Sequence, residues 1–191
     1  MAKKDHLTEE LNRHFGFGTF KGNQKAIIEN VLAGKDTFVL MPTGGGKSLT
    51  FQVPTLSREG ICLVITPLVA LMKDQVDNLR SRGIRAAYLH AGMTRREMIV
   101  TLDNCLYGRY KFLYISPERL DTELFIARIK GLPVSFIVVD EAHCISQWGY
   151  DFRPAYLKIA DIRYILPEVP ILALTATATP KVAEDIQRKL S

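Results

Sequence analysis

Cysteine is scarce in this chain of 191 residues: Cys62, Cys105 and Cys144 stand far apart, and no Cys-x-x-Cys pair occurs. Such spacing supports neither a zinc site nor a disulfide framework, and it points to a reducing cytosolic setting. No run of eighteen apolar residues is present, so no segment reads as a membrane-spanning helix and no membrane partner is expected. The first residues, Met1-Ala2-Lys3-Lys4-Asp5-His6, lack the apolar stretch of an export signal. Internal repeats, low-complexity tracts and linkers are missing as well, which leaves a single domain over 1–191. Charge is not strongly one-sided either. Lys+Arg 25 against Asp+Glu 20 gives +5, a mild bias toward polyanionic partners that identifies none by itself. The hydrophobic fraction of 47% and charged fraction of 24% are those of a globular chain able to bury a sizeable core.

What the sequence does contain is alternation. Short apolar, β-branched runs near 36–41, 61–66, 85–89, 111–116, 134–140 and 170–175 predict strands. Each is almost continuously apolar, as parallel strands covered on both faces must be. Helical periodicity lies between and around them, near 5–14, 23–33, 47–56, 68–82, 94–107, 118–130, 154–166 and 180–190. Pro67, Pro117 and Pro180 fall at predicted helix starts, and Gly34 and Gly83 just past predicted ends. The expected fold class is α/β, with a mostly parallel central sheet and helices on both faces.

The most informative run is Met41-Pro42-Thr43-Gly44-Gly45-Gly46-Lys47-Ser48, set between a predicted strand and a predicted helix. That is the context of a phosphate-binding loop. Glycines let backbone N–H groups turn inward around an anion at a helix N-terminus. Lys47 would reach the β/γ-phosphates of ATP, and the Ser48 hydroxyl would ligate Mg2+. Met41 occupies the position where the strict pattern has glycine. The second informative run is Asp140-Glu141-Ala142-His143, which ends the apolar stretch Phe136–Val139. A carboxylate at the C-terminal tip of a buried parallel strand faces the ligand crevice of an open α/β sheet. Asp140 would share the Mg2+ with Ser48, and Glu141 would orient or deprotonate the attacking water.

Five segments in register resemble the first RecA-like domain of a RecQ-type DNA helicase, over essentially the full chain. They are Gly44–Ser48, Pro67-Leu68-Val69-Ala70-Leu71-Met72-Lys73-Asp74-Gln75, Pro117-Glu118-Arg119-Leu120, the stretch from Asp140 through Arg153, and Leu174-Thr175-Ala176-Thr177-Ala178. The resemblance implies a RecA-like P-loop NTPase fold. It also implies that Phe15–Gln24 holds the adenine, with Gln24 on the base edge and the base between Phe17 and Lys21. Lys21 stands where the family usually has arginine, and an ammonium stacks less well than a guanidinium. Phe15 and Phe20 are expected in the core.

In the family the aromatic loop after the acidic motif senses single-stranded DNA. Here Trp148, Tyr150 and Phe152 lie beside Gln147 and Arg153. Aromatic faces stack on unpaired bases, and Arg153 is the expected phosphate or relay contact. Phe152 is read equally well as a sensor or as an anchor. His143 is expected to relay hydrogen bonds between Glu141 and the Thr175–Thr177 segment that couples hydrolysis to strand separation. Pro67 and Leu68 would open a helix facing a DNA phosphate, and Ser116 to Arg119 could do the same.

The resemblance thus implies an ATP-dependent motor acting on single-stranded and branched DNA, in the cytoplasm with the bacterial nucleoid or in a eukaryotic nucleus. A DEAH-type RNA helicase is the alternative enzyme. A nucleotide-binding module with little turnover is the alternative of another class, because the family's arginine finger comes from a second RecA-like domain that these 191 residues do not include.

Overall fold

A computed structural model describes residues 5–42 and 46–191. Six parallel strands form one sheet in the order β1-β6-β5-β2-β4-β3. They are β1 (Thr37–Leu40), β2 (Ile61–Ile65), β3 (Ala86–Leu89), β4 (Phe112–Ile115), β5 (Val134–Val139) and β6 (Ile171–Thr175). Each falls within a predicted run. The helices are α1 (His6–Phe15), α2 (Gln24–Leu32), α3 (Leu49–Leu56), α4 (Val69–Ser81), α5 (Arg95–Tyr107), α6 (Glu123–Ile129), α7 (Ile159–Ile165) and α8 (Pro180–Leu190). None of the described helices is long and apolar enough to cross a membrane.

The period of two in a strand sorts the core into two layers. Ile61, Leu63 and Ile65 of β2, with Ile137 and Val139 of β5, pack against α5, α6, α7 and α8 through residues such as Leu102, Phe125, Ile159 and Ile186. Cys62 and Val64, with Phe136 and Val138, pack on the other face against α2, α3 and α4 through Val31, Phe51, Met72 and Val76. Leu11 of α1 joins Ile28 and Val53 in a smaller cluster, and the half-buried Phe15 and Phe20 pack against it. Burial on both faces explains why the strands lack polar alternation.

Two predicted helices are interrupted. The 118–130 stretch is a 3-10 turn, Pro117–Arg119, followed by α6. Arg119 anchors the turn by donating to the carbonyls of His90 (2.9 Å), Ala91 (2.6 Å) and Met93 (2.7 Å). A guanidinium spent on three carbonyls is a clamp on the loop after β3. The 154–166 stretch likewise opens as a 3-10 turn, Pro154–Lys158, whose Tyr156 hydroxyl donates to the Asp140 carbonyl at 2.9 Å.

Below β1 and β6, Asp36 accepts the Ile171 N–H at 2.9 Å and pairs with Arg163. That bond fixes the register Thr37 to Leu172, and with it the relative height of the two strand tips. Asp36→Ala is expected to lower stability by about 1–2 kcal/mol, or roughly 2–6 °C in Tm. Asp36→Asn, which keeps the acceptor, should lose less; thermal denaturation of the three proteins checks this.

Candidate nucleotide and nucleic-acid site

The predicted site residues that are described leave the C-terminal edge of the sheet or lie beside it. Successive tips are tied together by backbone bonds: Met41 N–H to Thr175 (3.0 Å), Asp140 N–H to Ile65 (2.9 Å), Thr66 N–H to Ile115 (3.1 Å) and Ser116 N–H to Leu89 (2.9 Å). Strand order therefore lines up the loops. The phosphate loop after β1, the Thr175–Thr177 segment after β6 and the acidic motif after β5 are neighbours. Pro67 and Leu68 follow β2, on the side of β4 and β3.

Thr43, Gly44 and Gly45 lie outside the described residues. Of the phosphate loop, Gly46, Lys47 and Ser48 are described, with Lys47 and Ser48 forming the turn that opens α3. Gly46 has φ +77°, and a Cβ there would sit 2.2 Å from the Gln24 side-chain nitrogen, so only glycine fits. Gln24 is 3% exposed. Its Oε1 accepts the Lys21 N–H at 2.8 Å, and its Nε2 donates to the Gly46 carbonyl at 3.2 Å. An amide offers two donors and two acceptor sites, so one of each remains for a base edge. Phe17, 49% exposed, lines one cavity of about 500 Å3 with Lys21, Gln24, Met41, Pro42 and Gly46. The structure thus brings Phe17, Lys21, Gln24 and the end of the phosphate loop together.

At the tip of β5, burial pushes the Asp140 carboxyl up to about 6, with the neighbouring Glu141 charge adding to the effect; the Glu141 N–H and Lys47 oppose it. No lysine or arginine lies within 4.0 Å of it among the described residues. Glu141 sits in the left-handed region (φ 50°, ψ 45°), a conformation that costs a non-glycine residue on the order of 1–3 kcal/mol. The strained turn sends the Asp140 and Glu141 side chains out separately and starts a 3-10 turn, Ala142–Ile145.

His143 is buried, and that burial lowers its pKa, leaving the ring neutral at neutral pH. Its Nδ1 lies 2.8 Å from Thr175 Oγ1 and 3.4 Å from Glu141 Oε2. Thr175 Oγ1 donates to the Thr177 carbonyl (3.0 Å) and accepts the Thr177 N–H (3.3 Å). The threonine proton is thereby committed to Thr177, and the network assigns the histidine proton to Nδ1. His143 therefore bridges Glu141 and Thr175–Thr177, the arrangement expected from the sequence. Cys144 and Asp151 also come close to His143, but burial pushes the Cys144 thiol up to about 12, and it remains protonated.

The aromatic loop folds back on this turn. Arg153 N–H donates to the Cys144 carbonyl at 2.8 Å, and its guanidinium reaches Asp151 at 3.3 Å. Tyr150 stacks on His143 with centroids 4.7 Å apart and planes 17° apart. Gln147 and Trp148 are exposed, Trp148 by 61%, while Phe152 is half-buried. Trp148, Tyr150 and His143 line a cavity of about 520 Å3 with Leu40, Val182 and the segment 176–179. Leu68, exposed, is the N-cap of α4 and supplies no side-chain cap; Pro67 beside it is half-buried.

Residues 21–186 match the sequence profile of DEAD/DEAH box helicases. The chain belongs to the DEAD/DEAH box helicase family. It is 47% identical over 185 residues to a probable ATP-dependent DNA helicase RecS of Bacillus subtilis, covering 96% of this chain and 37% of that protein. It is 45% identical over 191 residues to the ATP-dependent DNA helicase RecQ of Haemophilus influenzae, covering all of this chain and 31% of that one. This helicase domain thus spans about a third of the length of those relatives. Among solved structures it resembles the DUF1998 helicase MrfA bound to DNA and AMPPNP, with a TM-score of 0.74 and 16% identity over 97% of this chain and 28% of that one. At that identity the likeness shows the fold alone, which is the expected RecA-like α/β domain.

Sequence reasoning missed what α8 does in this helicase domain. Lys181 lies over the Trp148 ring, and Lys189 donates to the Ile145 carbonyl at 3.2 Å. Nothing local marks these lysines, which are separated from the loop by α7 and β6.

Asp140 gives a pH-dependent prediction. Its folded pKa of about 6 lies above the unfolded value of 3.8, so its stabilising contribution is full below pH 3.8 and is lost as pH rises through 6. Asp140→Asn, which still accepts the Glu141 N–H, should be more stable than the parent at pH 8 by up to about 3 kcal/mol. The gain should vanish near pH 4, as urea unfolding across that range would show.

Proposed function

We propose that this chain is the ATP-binding motor domain of a RecQ-type DNA helicase, one that couples ATP hydrolysis to translocation on single-stranded DNA and to duplex unwinding. The observation that carries the proposal is the placement of His143: its ring bonds Thr175, whose hydroxyl bonds Thr177, it lies 3.4 Å from Glu141, and Tyr150 of the aromatic loop stacks on it. It places a candidate hydrolytic base and a candidate strand sensor on either side of one buried histidine. The relatives named DNA helicases support DNA over RNA as the partner. Branched DNA, and a second RecA-like domain supplying the arginine finger, belong to the same proposal.

ATP and Mg2+ fit the residues present. Asp140 is a half-buried carboxylate without a cationic partner among the described residues, and Ser48 stands in the turn after the glycine-rich loop. Those two side chains would hold the ion, which when bound offsets charge on the phosphates. Lys47 would hold the β/γ-phosphates, and Gly46 leaves the backbone open beside them. Phe17 and Lys21 would sandwich the adenine, while the remaining donor and acceptor of Gln24 meet its edge. Glu141 would take a proton from the attacking water, with the His143 ring 3.4 Å from its carboxylate.

Pro67 and Leu68 would present the first turn of α4 to a DNA phosphate. Trp148 would stack on an unpaired base, with Gln147, Phe152 and Arg153 shaping the loop around it.

Tests belong in the whole protein of which this chain is a part. Glu141→Gln should retain ATP binding and cut turnover by roughly two or more orders of magnitude, as loss of a general base does; near-parental turnover would remove Glu141 from that role. Trp148→Ala should weaken DNA stimulation of the ATPase by roughly one to two orders of magnitude, the worth of one stacked base. Nucleotide affinity should stay unchanged. If stimulation falls only in proportion to lost folded protein, Trp148 is a packing residue.

A further inference from the structure

The Trp148 ring that should be open to a base already holds a cation: Lys181 Nζ lies 3.4 Å from its centroid. The helix that carries Lys181 is fixed further along. Val182, Ile186 and Leu190 are buried, and Lys189 reaches the Ile145 carbonyl. Lys181 itself lies in the first turn of α8, which contains no acidic residue. A cation there opposes the helix macrodipole, so helix stability does not account for it. The negative face of an exposed indole does.

We propose that Lys181 is a positioning residue that occupies the Trp148 face until single-stranded nucleic acid binds, and that a base stacks there by displacing its ammonium. One face of an indole accepts one partner at van der Waals distance, so the two occupants exclude each other. The exchange also releases the first turn of α8 from the loop, and Thr179, the N-cap of that turn, closes the segment that begins at Thr175. Occupancy of Trp148 is thereby felt at Thr175 from the α8 side as well as through His143. This inference rests on the proposal that the aromatic loop contacts the strand.

Trp148 is the only tryptophan in these 191 residues, so in this chain the tryptophan emission comes from the loop. Lys181→Gln keeps most of the reach and removes the charge. It should change the Trp148 emission without nucleic acid. It should also bind labelled oligothymidylate roughly two- to fivefold more tightly, the equivalent of one exposed cation–π contact. The comparison is made at about 0.3 M salt, where general charge effects are screened. Lys181→Arg should match the parent, and in a Trp148→Ala background Lys181→Gln should have no effect. Weaker binding with a shallower salt dependence would make Lys181 an ordinary phosphate contact and overturn the exchange. A Trp148-dependent affinity that Lys181→Gln leaves unmoved would overturn the exchange alone. Equal binding by the parent and Trp148→Ala would overturn the role of the loop and the exchange with it.

Discussion

Everything in the candidate site depends on one constraint: all six strands run the same way, and β6 and β5 are inserted between β1 and β2. Parallel strands deliver every strand-to-helix loop to a single edge. The insertion decides which loops meet there. With strands about 4.8 Å apart, the tip of β5 lies roughly 10 Å from that of β1 and roughly 14 Å from that of β3. Phosphate loop, Thr175 segment and acidic motif therefore form one compact group, while the segments after β2, β4 and β3 extend along the same edge. In the order β1-β2-β3, Asp140 would have been placed far from Lys47.

Within that group, burial governs the chemistry. Asp140 has its carboxyl pushed up because water is excluded and a second carboxylate follows it. His143 is held neutral by the same exclusion, despite a glutamate at 3.4 Å. A charged carboxylate in this place calls for a cation, and a neutral imidazole with an assigned Nδ1 proton orients its neighbours without carrying charge. The left-handed backbone at Glu141 is a local cost of the turn that ends β5 and starts the Ala142–Ile145 turn.

The aromatic loop is held between the acidic turn and α8. Gly149 lies where a Cβ would come within 2.8 Å of the His143 carbonyl, so the loop can approach its own root only with glycine at that position. Tyr150 then reaches His143, and Trp148 reaches Lys181. A disturbance at Trp148 thus has two routes to Thr175, one through the histidine and one through the helix that follows the threonine segment.

Much of this was legible in the residues. The apolar runs gave all six strands and their parallel character, because strands buried on both faces cannot alternate. The contact of His143 with the Thr175–Thr177 segment was also legible, since it needs particular residue types in a fixed order. The bonds made by Gln24 to Gly46, Arg119 to the loop after β3 and Lys181 to Trp148 were not. A lysine on a helix surface looks the same in sequence whether it faces water or an indole. Local composition fixes local conformation, but strand order and helix docking bring distant residues within a few ångströms, and those contacts depend on the packed chain as a whole.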